Sequence, residues 1–360
     1  MQLRAVQRAA LQVCKRRAGG SWSCLHSAAS PAVNVLGEDL PALQTLVSQG
    51  AGLPAFRAGQ LFQELHRQNS CDFKEMQSLG KACVARLQAA GLTVDAGEVV
   101  AAQTSTDGTR KWLLSLPSTL APAQKRTGGQ VEMVWIPSAG SRTLCVSSQV
   151  GCTLSCSFCH TGTQPLLRNL AAADILAQVL QASRQLRATA PDSVAALTSM
   201  HGVQGSALRR RPISNVVFMG QGEPLYNWRS VKRAIQVLTH PEGLGLSRRR
   251  VTVSTSGVAP RIPELASACG ASLAVSLHSA VDDVRSHIMD VNRRWPLAEL
   301  KDAIKQYISI LKEGGRVARD ARVTLEYTPL EGLNAGRADA VALVEFCRDI
   351  GLQWLHVNLM

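Results

Sequence analysis

Residues 215–224 read Asn-Val-Val-Phe-Met-Gly-Gln-Gly-Glu-Pro, and the rest of the chain is read outward from them. The apolar run Val216-Val-Phe-Met219 suits a strand covered on both faces. It is followed at once by Gly220-x-Gly222-Glu223-Pro224. The glycines permit a sharp turn and a close backbone approach, and the proline bars further pairing. The same design recurs on either side. Strand-like runs occupy 143–148, 215–219, 250–254, 272–277, 322–328 and 353–359. Segments of helical period near 171–187, 228–238, 260–268, 297–312 and 336–349 separate them. Such alternation predicts an α/β architecture with a parallel sheet and helical crossovers. A partial (β/α)6 barrel and a doubly wound sheet both satisfy it.

Polar residues gather where the strands end. The first strand leads into Gly151-Cys152-Thr-Leu-Ser-Cys156-Ser-Phe-Cys159 and the second into the Gly-x-Gly-Glu turn. The third carries Ser254, the fourth Ser276 and His278, the fifth Glu326 and the sixth Asn358. In parallel α/β folds the carboxyl ends form the active-site face. Cys152, Cys156 and Cys159 have the spacing C-x3-C-x2-C. Three thiolates can hold three irons of a 4Fe–4S cluster and leave the fourth open to a substrate. Two other readings use the same residues. Zinc would want a fourth ligand, which His160 could supply. Residues 156–160 also match C-x-x-C-H, a haem attachment signature, with Cys152 idle. Six further cysteines, at 14, 24, 71, 83, 269 and 347, are scattered and read as small hydrophobes.

The chain has 360 residues, 39 Lys+Arg against 26 Asp+Glu, and a net charge of +13. This balance suits a polyanionic partner such as nucleic acid. Aromatics at 4% argue against a broad base-stacking platform. No apolar run is long enough for a membrane span, and the chain reads as a monomer. Ahead of Glu38, the first acidic residue, stand Arg4, Arg8, Lys15, Arg16 and Arg17. Residues 1–33 therefore read as a mitochondrial transit segment, with a cytoplasmic protein as the alternative. Residues 34–97 read as a helical accessory module of RNA-binding type. Residues 98–140 read as a β-hairpin linker region, with Asp107-Gly108 as a turn, and 141–360 as the barrel. The Ala/Ser/Gly-rich stretch 188–212, with Arg209, Arg210 and Arg211, reads as an exposed loop.

These runs, in this order, resemble the radical-SAM enzymes, and more closely the RlmN/Cfr-type RNA methyltransferases. The resemblance rests on residues 144–152 (Leu-Cys-Val-Ser-Ser-Gln-Val-Gly-Cys), 168–170 (Arg-Asn-Leu), 215–224, 250–258 (Arg-Val-Thr-Val-Ser-Thr-Ser-Gly-Val), 273–278 (Leu-Ala-Val-Ser-Leu-His) and 323–327 (Val-Thr-Leu-Glu-Tyr). It covers roughly residues 34–359, including Phe56-Arg57-Ala58 in the helical module.

The resemblance implies S-adenosylmethionine (SAM) and a 4Fe–4S cluster on Cys152, Cys156 and Cys159. It implies Gly222, Glu223, Ser254, Ser276, His278 and Asn358 as SAM contacts. Glu132 matches the family's proton acceptor and Cys145 its resolving cysteine. The implied reaction is methylation of adenine carbon 2 in large-subunit ribosomal RNA, and in some members tRNA. Cfr-like relatives act at carbon 8. An electron donor such as a ferredoxin or flavodoxin-type protein is implied as a partner. Two departures stand out. Family members continue past the sixth strand into a tail with a methyl-bearing cysteine, whereas this sequence stops at Met360. The expectation is of a truncated chain, with a defective protein that still binds cluster, SAM and RNA as the alternative. The second departure is His160, where relatives commonly have a smaller residue.

Overall fold

A computed structural model describes residues 32–116 and 129–360. Nearly all of the basic first segment read as a transit sequence lies outside these residues.

The first elements are short. β1 (Val33–Asn34) pairs in parallel with β2 (Leu92–Thr93). Between them lie α1 (Leu40–Thr45), α2 (Phe56–Gln63) and α3 (Lys81–Ala89). Asp39 caps α1 by accepting from the Ala42 amide at 2.9 Å. Leu36, Leu43, Leu61, Phe62, Leu65 and Leu87 are buried at helical spacing and join the main core.

Next come β3 (Glu98–Thr104), β4 (Arg110–Leu116), β5 (Gly129–Ser138) and β6 (Ser141–Cys145), each antiparallel to the next of the four. The expected turn is present: Gly108 has φ 82 and the Asp107 carboxylate accepts from the Thr109 amide. The hairpin region is thus a three-stranded extension of the main sheet rather than a separate linker.

β7 (Gln149–Val150) pairs with β8 (Arg168–Asn169) and brackets the cysteine loop. Then follow α4 (Ala172–Arg187), α5 (Pro191–His201), α6 (Gly205–Arg210), β9 (Asn215–Phe218), α7 (Trp228–Thr239), β10 (Val251–Thr255), α8 (Ile262–Ala268) and β11 (Ser272–Ser276). The chain continues through α9 (Asp282–Ile288), α10 (Val291–Arg294), α11 (Leu297–Glu313), β12 (Val323–Tyr327), α12 (Arg337–Ile350) and β13 (Leu355–Leu359). Stretch 188–212 is therefore largely helical, contrary to its reading as a loop. Pro191 at the start of α5 and Gly202 in the left-handed region after it are ordinary helix boundaries.

The main sheet runs β3-β4-β5-β6-β9-β10-β11-β12-β13. From β6 onward every pair is parallel, and each strand adds beside the one before it. A doubly wound sheet would reverse direction at a switch point. The sequential order resolves the sequence's ambiguity in favour of the partial (β/α)6 barrel.

Register then sorts the side chains. Val251, Val253, Leu273, Val275, Val323 and Leu325 are buried and share one core with the helices. The opposite face is traced by the pairs Val134↔Cys145, Cys145↔Val217, Val217↔Thr252, Ser254↔Ala274, Ser276↔Glu326 and Glu326↔Asn358. Because strand side chains alternate, Glu132 lies on this same face. Glu132, Cys145, Ser254, Ser276, Glu326 and Asn358 thus line one surface of one sheet.

Candidate active site

The cysteine loop sits at one rim of that surface. Gly151 has φ 77, and a Cβ there would stand 2.2 Å from the Pro165 carbonyl oxygen, so only glycine fits. The Cys152 amide donates to the Gln164 carbonyl at 3.2 Å, and the Cys159 amide to Cys156 O at 3.1 Å. The Ser157 amide reaches Ile288 O at 3.1 Å, which ties the loop to α9. Cys152, Cys156 and Cys159 are free thiols of intermediate exposure.

Burial, with Cys159 and Cys152 adding negative charge nearby, pushes the Cys156 thiol up to about 12. Burial also raises Cys152, against a lowering contact from the Leu154 amide. As they stand, no three His, Cys, Asp or Glu side chains among the described residues are gathered into an ion-holding group. The donor set is still of the right chemistry for iron–sulfur: three soft sulfurs on one short loop, close enough to feel one another's charge. His160, the fourth ligand of the zinc reading, is exposed.

The Gly-x-Gly-Glu turn lies beside this loop. A Cβ on Gly220 would stand 2.7 Å from Ser147 Oγ. Gly222 has φ 94, and a Cβ there would meet Gln149 Cβ at 2.4 Å. The turn therefore presses directly on the segment that leads into the cysteines. Gln149 joins the parts. Its Nε2 donates to Asn169 Oδ1 at 2.6 Å and to Thr153 Oγ1 at 2.9 Å, and its Oε1 accepts from the Glu223 amide at 2.9 Å. Glu223 is buried, and its carboxylate accepts from the Ser256 amide at 2.7 Å and the Leu225 amide at 2.9 Å. Burial raises its pKa, while these amides hold it down in part.

His278 is buried with φ 53 and packs against Phe158 of the cysteine loop, ring centres 4.5 Å apart. Its Nδ1 accepts from the Thr328 amide at 3.1 Å. Burial pushes its pKa down to about 4, so the ring is neutral at pH 7 and carries its proton on Nε2. Ser254 and Ser276 are half-buried, and their hydroxyls make no hydrogen bond among the described residues. Asn358 is exposed and donates to Glu326 Oε2 at 2.7 Å. On the antiparallel side, Glu132 is 48% exposed and pairs with Lys111 Nζ at 3.0 Å. Burial pushes the Cys145 thiol up to about 11, so it is held protonated.

One residue central to this arrangement is absent from the sequence reading. Arg285 of α9 is fully buried. Its guanidinium donates to Ser256 O at 2.6 Å, Leu277 O at 3.0 Å, Ser276 O at 3.1 Å and Asn292 Oδ1 at 2.7 Å. It clamps the carboxyl ends of β10 and β11, which carry Ser254, Ser276 and His278. In sequence, an arginine in Asp-Asp-Val-Arg-Ser-His reads as a solvated helix charge. Gln149 lies inside the run 144–152, where nothing local marks it as a junction.

Three comparisons bear on this surface. Residues 33–91 match the family model described as the ribosomal RNA large subunit methyltransferase N-terminal domain. The dual-specificity RNA methyltransferase RlmN of Jannaschia sp. is 42% identical over 322 residues, covering 88% of this chain and 75% of that protein. The protein of the same name from Methylobacterium radiotolerans is 45% identical over 305 residues, covering 84% and 69%. The crystal structure of a radical SAM methyltransferase from Sphaerobacter thermophilus superposes with a TM-score of 0.74 at 34% identity, covering 91% of this chain and 84% of that one. With the sequential barrel and the cysteine-bearing rim, these matches lead to one conclusion: the chain belongs to the RlmN family of RNA methyltransferases.

Proposed function

We propose that the protein methylates adenine carbon 2 in large-subunit ribosomal RNA, with tRNA as a second substrate, by radical-SAM chemistry. The single observation behind this reading is the register that lines up Glu132, Cys145, Ser254, Ser276 and Asn358 on one sheet face, with three cysteines at its rim. Adenine C2–H is a poor nucleophile, so direct attack on a methylsulfonium is ineffective. A 4Fe–4S cluster with SAM would supply a carbon-centred radical that takes hydrogen from a methyl group, so that the methyl carbon can add to carbon 2 as a radical and the C2 hydrogen leaves afterwards as a proton. Cys152, Cys156 and Cys159 would hold the cluster.

The remaining roles follow from the chain's own groups. The open hydroxyls of Ser254 and Ser276, the Nε2–H of His278 and the Asn358 amide offer donors to SAM. Gly222 leaves room for close backbone approach. Glu223 keeps acceptor capacity beyond its two amide partners, enough for the SAM ammonium. Arg285 keeps the two serine-bearing strand ends in place. Glu132, exposed beside Lys111, would receive the proton that leaves carbon 2. In the family reaction the adenine becomes joined through the new methylene to the methyl-bearing cysteine of the tail. Cys145 must lose its Sγ proton before its thiolate can attack that sulfur, forming a disulfide as the sulfur–methylene bond to the adenine breaks, so a base has to act on it. An electron donor of ferredoxin or flavodoxin type would approach the cysteine rim. The basic first segment supports a mitochondrial address, which import of a fluorescent fusion would test.

The test is anaerobic. The chain is reconstituted with iron and sulfide, then given SAM, reductant and unmodified ribosomal RNA or tRNA, and the RNA is digested for mass spectrometry. The expected product is 2-methyladenosine from the parent chain, and neither iron retention nor product from Cys156→Ser. An 8-methyl product would move the assignment to carbon 8. A loaded chain that methylates neither RNA would overturn the catalytic reading.

A further inference from the structure

The carboxyl ends of the barrel strands carry the site, and the opposite rim carries positive charge. Arg142 opens the way along β6, Arg211 lies just ahead of β9, Arg250 enters β10, and Arg316 lies ahead of β12. Their heads are pinned by neutral acceptors. Arg142 Nε donates to Arg211 O at 3.2 Å, and Arg211 Nη2 to Leu244 O at 3.0 Å and Gly245 O at 2.9 Å. Arg250 Nη1 donates to Asn215 Oδ1 at 3.1 Å, and Arg316 Nη2 to Gly270 O at 2.6 Å.

Register places Arg142 and Arg250 on either side of the start of β9, since Thr143 pairs with Asn215 and Val251 with Val216. A Cβ on Gly270 would stand 2.9 Å from Arg316 Nη2 and 3.5 Å from Arg248 Cδ, so these two converge ahead of β11. After burial, the charges of Arg250 and Arg211 are what hold Arg142 below its ordinary pKa. Arg249 alone in this group has a carboxylate partner among the described residues, Asp320.

We propose that this arginine rim is a second RNA-binding surface, which grips phosphates of the substrate RNA away from the adenine being modified. This rests on the reading of the protein as an RNA methyltransferase. Guanidinium forks suit phosphate oxygens, and pinning the heads to carbonyls fixes their positions without cancelling their charge. An anionic membrane would call for several apolar side chains among the cations, and Val317 beside Arg316 is the one large apolar residue exposed within 205–218, 240–258 and 314–322. An acidic electron donor has to come close to the cysteine loop, whereas this rim lies beyond strands roughly 17 Å long at about 3.3 Å per residue. A large RNA is the anionic partner that can reach both ends.

The test uses the full chain and unmodified tRNA in an anisotropy titration across a salt series. Arg248→Ala/Arg250→Ala is compared with the parent. Arg248→Glu is added because the Arg248 side chain makes no hydrogen bond among the described residues, so its replacement removes no bond that holds the fold. Two lost phosphate contacts should weaken binding about tenfold near physiological salt and flatten the slope of log affinity against log salt by about 1–2. In the activity assay the RNA KM should rise while kcat, iron loading and SAM affinity hold. RNA affinity within twofold of the parent for both variants would overturn the proposal. So would a loss confined to polyglutamate or anionic vesicles, which would make the rim a protein or membrane contact. A parent chain that binds tRNA no better than polyglutamate would instead count against the RNA methyltransferase reading itself.

Discussion

Against the parallel half of the sheet, Arg285 of α9 is fully buried and makes four hydrogen bonds, three of them to strand-end carbonyls. In the antiparallel half, Glu132 stands 48% exposed beside an equally open Lys111. Arg285 holds strand ends of the same continuous sheet that carries Glu132, and both border the same surface. The difference lies in solvent. Charges and dipoles are strong where water is excluded, and they must then be fully partnered. Where water reaches them they are weak but free to exchange protons. In the proposed function, fixed positioning of SAM falls to the parallel half and proton transfer to the antiparallel half.

This contrast can be broken by mutation. The largest effect on stability is expected from Arg285→Met, which leaves three carbonyls and Asn292 without their donor. It should cost about 3 kcal/mol in urea unfolding, as loss of buried charge-assisted hydrogen bonds does. A cost under about 1 kcal/mol would mean that the strand ends are held by packing instead. Gly222→Ala comes next. It combines a disfavoured φ with a close approach to Gln149 and should cost about 2 kcal/mol, with SAM affinity measured by calorimetry falling alongside. If affinity fell with stability unchanged, the glycine would be there for the ligand rather than for the turn. The smallest effect should come from Lys111→Met. An exposed pair contributes little, so thermal unfolding should move by less than about 0.5 kcal/mol, even though methylation slows. A cost matching that of Arg285→Met would erase the distinction between the two halves.

Much of this was readable before any coordinates. The six parallel strands and their five main crossover helices follow from apolar runs and helical spacing, because burial on both faces leaves a strong mark in sequence. Strand order left no such mark. Pairing is a long-range choice, so barrel and doubly wound sheet looked alike until β6 was seen beside β9 and the later strands in turn. α5 and α6 were missed because Ala, Ser and Gly composition outweighed the boundary signals at Pro191 and Gly202. Within the site, ligand-type residues at strand ends were visible as motifs. Arg285 and Gln149 were not, because their work is done through backbone atoms far away in sequence. Whether Glu132 faces the barrel interior could be decided only by register, since a slip of one residue would turn it to the other side.

The sequential order of the strands also bears on how the chain is made. When β9 leaves the ribosome, its partner β6 already exists, and the same holds for β10 through β13. Each unit can therefore dock as it emerges, and N-terminal segments fold first during synthesis. One sheet edge stays open at every stage, and the next strand to be synthesised is the one that closes it. A stalled or slowed ribosome would lengthen the life of that edge. Synonymous changes that slow translation between β9 and β13 should therefore lower the soluble yield without altering a single residue.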